Sequence, residues 1–198
     1  MMMPQPTRRA LFLAGLATAA AAAACGENAP LHGTSIPDPL MAPALVLRDS
    51  RGRAFDLAAE RGRVVLLYFG YTHCPDVCPT TLADFSRARR ILAKGEGMRF
   101  VFVSVDPARD TPATTESYAW QFDSTFVGLA PTTAQLDSIK TAWGFAVERD
   151  SMPGMKSGEY GVSHPAGVFF IDRDGRVRFV FAPGTKSEDL AADLKRLM

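Results

Sequence analysis

Val64-Val65-Leu66-Leu67-Tyr68-Phe69-Gly70-Tyr71-Thr72-His73-Cys74-Pro75-Asp76-Val77-Cys78-Pro79-Thr80-Thr81-Leu82 holds a pair of thiols in a short loop between an apolar run and a helical repeat. Val64 to Phe69 is an unbroken series of aliphatic, β-branched and aromatic residues, the pattern of a central strand covered on both faces. Gly70 ends it. Pro79 suits the first helical position, where its missing N–H costs nothing, and Leu82, Phe85, Ala88, Arg89 and Leu92 recur at roughly helical spacing. Cys78 is therefore expected at a helix N-terminus, where unpaired backbone donors favour a thiolate. A thiolate is both the nucleophile of disulfide exchange and a ligand for soft metals, so both chemistries stay open at this point.

Working outward, Arg99 to Val105 is a second apolar strand ending at Asp106-Pro107-Ala108-Arg109-Asp110-Thr111-Pro112, where Thr111 can cap a helix that begins with Pro112. Strand, helix, strand, helix implies a parallel pair with a crossover, and ligands in such sheets gather at the carboxyl ends of the strands. Cys74 stands at one such end. Asp106 stands at another, with turn and cap chemistry as its expected role. Thr132 to Gly144 places Leu136, Ile139 and Trp143 at the spacing of a core helix, and Ala146 to Glu148 reads as a short strand. Arg149 to Gly161 is polar and holds Met152 and Met155, read first as loop methionines without a role, although thioethers are also soft ligands. Val168 to Ile171 and Arg176 to Phe181 flank Asp172-Arg173-Asp174-Gly175, the strongest hairpin signal in the chain. Lys186 to Leu197 closes with an amphipathic helix. Upstream, Ala44 to Leu47 and Arg53 to Leu57 flank the turn Asp49-Ser50-Arg51-Gly52 and open the domain with a hairpin. Residues 44–198 are thus expected to form a thioredoxin-like α/β sandwich with an N-terminal β-hairpin and an inserted helix.

A chain of 198 residues with a net charge of +1, and with no Lys/Arg run interleaved with aromatics, gives no footprint for nucleic acid. Arg8 and Arg9 followed by the apolar run Ala10 to Ala24 read as a signal peptide over residues 1–24, too short for a spanning helix. Ala22-Ala23-Ala24-Cys25 resembles a bacterial lipobox, with Ala22 where leucine is usual, so Cys25 is the expected lipidation site. That anchor would hold the protein at the periplasmic face of the cell membrane; an ordinary cleaved signal would leave it soluble in the periplasm. Thr7-Arg8-Arg9-Ala10-Leu11-Phe12 also resembles a twin-arginine export motif. Residues 25–43, with Pro30, Gly33, Pro37, Pro39 and Pro43, read as a tether without a fold of its own, in which His32 is expected to be solvated.

Setting Cys25 aside as an anchor leaves Cys74 and Cys78 to serve each other. A disulfide between them would close so short a loop that it removes little unfolded-state entropy, so stability alone is a poor reason for the pair. One further residue demands a role. His164, in Tyr160-Gly161-Val162-Ser163-His164-Pro165, precedes the last hairpin, and in thioredoxin-like topology that loop faces the thiol loop.

With Cys74-Pro75-Asp76-Val77-Cys78-Pro79 after an apolar strand, Val105-Asp106-Pro107 with Asp110-Thr111-Pro112, and the distal His164 before a hydrophobic strand, the chain resembles the Sco/SenC family. These are copper-binding proteins that assemble cytochrome c oxidase, and the resemblance covers most of Ala44 to Met198. It implies that Cys74, Cys78 and His164 bind one copper ion, and that the partner is the dinuclear copper (CuA) site of oxidase subunit II. Many relatives carry aspartate before the histidine, where this chain has Ser163. Two thiolates and one imidazole in an open site suit Cu(I), and Cu(II) is also accommodated; structural zinc would want a fourth protein ligand, and blue copper needs two histidines. His73 is a candidate for a supporting role beside Cys74.

Two functions follow from the resemblance: a metallochaperone that delivers copper to the CuA site, or a thiol-disulfide oxidoreductase that keeps the CuA cysteines reduced, with Cys74 and Cys78 as its redox pair. His164 discriminates, because exchange needs two thiols but no third soft-metal ligand. His164-Pro165 also falls where thioredoxin-like folds place a cis-proline. A cis bond there would aim His164 at the thiolates, whereas a trans bond leaves its placement to packing.

Overall fold

The Val64 run forms the middle of the sheet. The computed structural model of the protein describes residues 30–92, 97–150 and 160–198, and in it β4 (Val64–Gly70) is buried at every position. A strand covered on both faces needs apolar side chains at odd and even positions alike, which is why this run shows no alternation. β5 (Met98–Ser104) pairs with β4 in parallel and β9 (Val168–Ile171) pairs with it antiparallel. With β1 (Thr34–Ser35), β6 (Val127–Leu129) and β10 (Val177–Phe181), these strands make a six-stranded sheet in the order β1-β10-β9-β4-β5-β6.

Helices cover both faces. On one, Phe85 of α1 (Val77–Ile91) meets the rings of Phe100 and Phe181, and Tyr118 of α2 (Pro112–Trp120) meets Phe102. On the other, Phe69 meets Trp143, the last residue of α3 (Thr133–Trp143), and Phe145 just beyond it. α4 (Ser187–Leu197) packs along α1. The arrangement is the expected thioredoxin-like α/β sandwich. Its opening hairpin is β2 (Val46–Arg48) against β3 (Ala54–Asp56), as the turn residues foretold. Thr111 caps α2 through a reciprocal pair of hydrogen bonds with Thr114, also as expected.

Four features differ from the sequence reading. α1 begins at Val77, with Asp76 at its N-cap, so Cys78 lies inside the first turn and Pro79 is not the first helical residue. The strand expected at Ala146 to Glu148 is shifted to β7 (Glu148–Asp150), which pairs with β8 (Gly161–Ser163) in a ribbon separate from the main sheet. β6 was not anticipated, because three residues around a glycine carry no period. Gly128 is needed there: a Cβ would lie 2.3 Å from the Thr115 carbonyl oxygen, so α2 rests directly on the β6 backbone.

The fourth difference is in the segment expected as a tether. Thr34 and Ser35 pair with Val180 and Phe179, Met41 bridges to Arg176, and the compact unit runs from His32 to Met198. Both residues of β1 are exposed, so their pairing rests on backbone hydrogen bonds that leave no hydrophobic pattern to read. His32 is not simply solvated either, since its ring lies 3.1 Å from the Asp193 carboxylate and 3.4 Å from that of Asp189. The expected signal peptide over residues 1–24, Cys25, Met152 and Met155 lie outside the described residues. Among those described, no helix is long and apolar enough to cross a membrane.

Candidate metal centre

β4 and β5 run parallel and end side by side, and β9, antiparallel to β4, starts at that same edge of the sheet. Three segments therefore converge there: the loop after β4, the loop after β5, and the segment that runs from β8 to β9. Cys74 comes from the first and His164 from the third, while Cys78 stands in the first turn of α1.

The backbone N–H of Cys78 points at Cys74 Sγ, 3.4 Å away. Cys78 itself is fully buried, and Tyr68 of β4 donates its hydroxyl to Cys78 Sγ at 3.4 Å. His164 Nε2 lies 3.8 Å from the same sulfur. The imidazole is oriented by its other nitrogen, since Nδ1 lies 2.9 Å from the Pro165 carbonyl oxygen. A carbonyl only accepts, so this contact places the proton of the neutral ring on Nδ1 and leaves the Nε2 lone pair free toward the thiols. Tyr71 and Tyr68 stand edge-on to the ring at centroid distances of 5.7 Å and 6.3 Å. Among the described residues no peptide bond is cis, so His164-Pro165 is trans and packing, not the isomer, aims the histidine.

The two thiols are free of any bridge and share their protons unequally. A hydrogen bond from Cys78, reinforced by the backbone N–H groups of Asp76 and Cys78, holds Cys74 down to about 5 against the opposing effect of burial. The same bond, together with burial, pushes Cys78 well above the ordinary thiol range. This corrects the sequence expectation, which put the thiolate on Cys78. The donors of the first turn are directed at Cys74, while the Cys78 sulfur is closed off from water.

The thiol loop is held from below by Asp110. Its buried carboxylate accepts the Thr72 N–H at 3.0 Å, the Thr72 hydroxyl at 2.6 Å and the Ser104 hydroxyl at 2.5 Å. His73 is turned to that side, with Nδ1 3.1 Å from Thr72 Oγ1 and 3.5 Å from Asp110 Oδ1, and it does not line the cleft above Cys74. Asp106 makes the expected turn, its carbonyl accepting the N–H groups of Arg109 and Asp110. Sequence reasoning gave no role to Tyr68, Tyr71, Arg109 or Tyr160, and saw Asp110 only as part of a motif.

Above the thiols lies an open cleft of about 370 Å³ lined by Tyr71, Cys74, Asp76, Asp150, Ser163 and His164 among others. Cys74 and His164 line it, while Cys78 is buried behind them. Among the described residues no three His, Cys, Asp or Glu side chains are already closed into a metal cage. The Cys78–His164 pair is in place, with Cys74 in the preceding loop at the cleft.

The SCO1/SenC family profile matches residues 35–198. The fold is similar to that of apo Sco1 from Thermus thermophilus, with a TM-score of 0.76 and 33% identity over 87% of this chain and 100% of that one. It is likewise similar to ScoI from Bradyrhizobium japonicum with copper bound, with a TM-score of 0.71 and 36% identity over 80% of this chain and all of that one. The mitochondrial SCO2 homologue of Bos taurus is 32% identical over 155 residues, which are 77% of this chain and 58% of the bovine protein. On that profile match, supported by a thioredoxin-like fold and by two thiols and a histidine at one edge of its sheet, the chain belongs to the SCO1/SenC family.

Proposed function

We propose that the protein is a copper metallochaperone in which Cys74, Cys78 and His164 hold one copper ion and pass it to the CuA site of cytochrome c oxidase subunit II during assembly. The observation that carries this reading is the 3.8 Å approach of His164 Nε2 to Cys78 Sγ. Thiol exchange needs two thiols but no third soft-metal ligand, and the imidazole Nε2 beside the buried sulfur is such a ligand. Cys74, already a thiolate and open to the cleft, meets the ion first; Cys78 gives up its proton as the metal arrives, and His164 completes the set. Two sulfurs and one imidazole favour Cu(I). Among the described residues that line the cleft, Cys74 and His164 are the thiol and imidazole ligands on offer, and the cleft leaves room for an acceptor's ligands to approach.

Titrating the reduced full chain with copper, then mixing it with the soluble CuA domain of subunit II, tests the proposal. One copper per chain should bind and then move to the acceptor. Cys74→Ser and Cys78→Ser should each lose the copper. Unaltered stoichiometry and affinity in His164→Ala would sink the chaperone assignment.

A second reading has its own support in the half-buried Cys74 thiolate, held at about 5 with a resolving thiol four residues on. That pair would reduce the CuA cysteines. Such a reductase would keep its full rate in His164→Ala, whereas copper transfer would fail.

The same proposal places the mature protein, starting at a lipidated Cys25, on the periplasmic face of the bacterial membrane. Cys25→Ser should release it into the periplasm. Native protein recovered free, with an unmodified N-terminus beyond Cys25, would defeat the anchor.

A further inference from the structure

The β7–β8 ribbon that leads to His164 is not joined to the central sheet by strand pairing. Its position over the thiols therefore rests on side chains. Tyr160 sits at its root, one residue before β8; Arg149 of β7 lies 4.7 Å from its ring centroid within the ribbon, and the groups that tie Tyr160 to the rest of the fold come from the loop after β5. The Arg109 guanidinium lies 3.7 Å from the Tyr160 ring centroid, and its Nη1 donates to the Tyr160 carbonyl oxygen at 3.1 Å. Asp106, with a side chain only 1% exposed, accepts the Tyr160 hydroxyl at 2.9 Å and Arg109 Nε at 2.5 Å. The same guanidinium lies 5.7 Å from the ring centroid of Tyr71, in the thiol loop, and Tyr71 stands edge-on to His164 at 5.7 Å.

We propose that Arg109 is a positioning residue for the metal centre, clamping the strand that leads into His164 to the loop that carries Cys74. The proposal rests on the copper reading above and adds to it the device that keeps the ligands in range of one another. A planar fork can stack on a ring, bond a carbonyl and pair with a carboxylate at once, which neither lysine nor methionine can do. Arg109 Nη2 is buried without a hydrogen-bond partner among the described residues, an unfavourable feature that filling space would not require. Asp110, the next residue, holds the thiol loop through Thr72. One short segment thus supports both halves of the ligand set.

The test uses the full chain with Arg109→Lys, Arg109→Met, the milder Tyr160→Phe, and Cys74→Ser as a reference. Copper affinity is measured by competition, and the Cu(II) complex is followed by its thiolate charge-transfer band and electron paramagnetic resonance. Both Arg109 variants should weaken copper by about 10–100-fold, the range typical of residues that orient metal ligands, and should shift the spectrum. Lysine should not rescue. In copper-free protein the nuclear Overhauser contact between the Tyr71 and His164 rings should fade while the unfolding midpoint changes little. Should an Arg109 variant fail to fold, Tyr160→Phe, which removes a single hydroxyl, decides by the same readouts. Wild-type affinity and spectrum in the folded variants, with copper lost in Cys74→Ser, would overturn the clamp alone. Copper retained in Cys74→Ser would overturn the copper reading, and the clamp with it.

Discussion

Cys78 and His164, 86 residues apart in sequence, bring Sγ and Nε2 to within 3.8 Å at the end of the central strand. The cysteine is fixed by the first turn of α1 and the histidine by the Pro165 carbonyl and two tyrosine rings. On the proposed copper reading, replacing His164 with alanine removes one ligand of three, so copper affinity should fall by more than the ~10–100-fold typical of losing a supporting residue. Competition with a chelator of known affinity measures this. His164→Gln, which offers a hard oxygen or an amide nitrogen in place of imidazole, should not restore binding.

The unequal thiols give a pH signature. In reduced, copper-free protein, alkylation of Cys74 should rise through about pH 5 and be complete at neutrality, while buried Cys78 stays unmodified. The folded pKa of Cys74 lies below the usual thiol value, so its ionisation contributes stability that is fully present at alkaline pH and is lost as pH falls toward about 5. Cys78 acts with the opposite sign, since the unfolded chain ionises it where the fold does not, and stability falls above the ordinary thiol range. The rise in unfolding midpoint between about pH 5 and the ordinary thiol range should flatten in Cys74→Ser. An alkylation midpoint at the ordinary thiol value would end this assignment.

Gly70 is where β4 gives way to the thiol loop, and space is tight around it. A Cβ there would lie 2.6 Å from Phe102 Cε2 and 3.1 Å from Cys78 Sγ. Gly70→Ala should therefore cost roughly 1–3 kcal/mol, as overpacking does in well-filled cores, and should displace the Cys78 sulfur. Denaturant unfolding reads the first effect and the Cu(II) charge-transfer band the second. If both match the unaltered protein, Phe102 yields without moving the sulfur and the idea is wrong.

Local pattern explains which parts of this site were legible. The run Val64 to Phe69, the helix after it and the Thr111 cap are each written in neighbouring residues, and the strand and the cap stand where the sequence put them, with the helix starting two residues earlier. Which thiol is ionised could not be read that way, because it depends on which sulfur the fold buries. Asp110 shows the same limit. It sits beside the Thr111 cap in sequence, but its carboxylate reaches back 38 residues to Thr72. Arg109, one place earlier, finds its partners in Tyr160 and Tyr71, and neither contact has any signature in spacing.

The start of the domain offers a prediction against the expectation that residues 25–43 are a tether without a fold of its own. Asp193 of α4 has a side chain only 1% exposed, and it accepts the backbone N–H of His32 at 2.7 Å and that of Gly33 at 3.3 Å. The His32 ring adds a third contact at 3.1 Å. Directly afterwards β1 pairs with β10. A chain shortened to begin at Pro43 loses that strand and leaves a buried carboxylate without its donors, at a cost of about 1–3 kcal/mol. Asp193→Ala should cost a similar amount in the full chain, and Asp193→Asn less, because the amide keeps one oxygen to accept the backbone donors. In the shortened chain Asp193→Ala should cost nothing further, since the contact is already gone. Denaturant unfolding of the four copper-free proteins checks the cycle. Losses that simply add would mean that Asp193 stabilises α4 for some other reason, and that the His32 to Ser35 segment is not held by it.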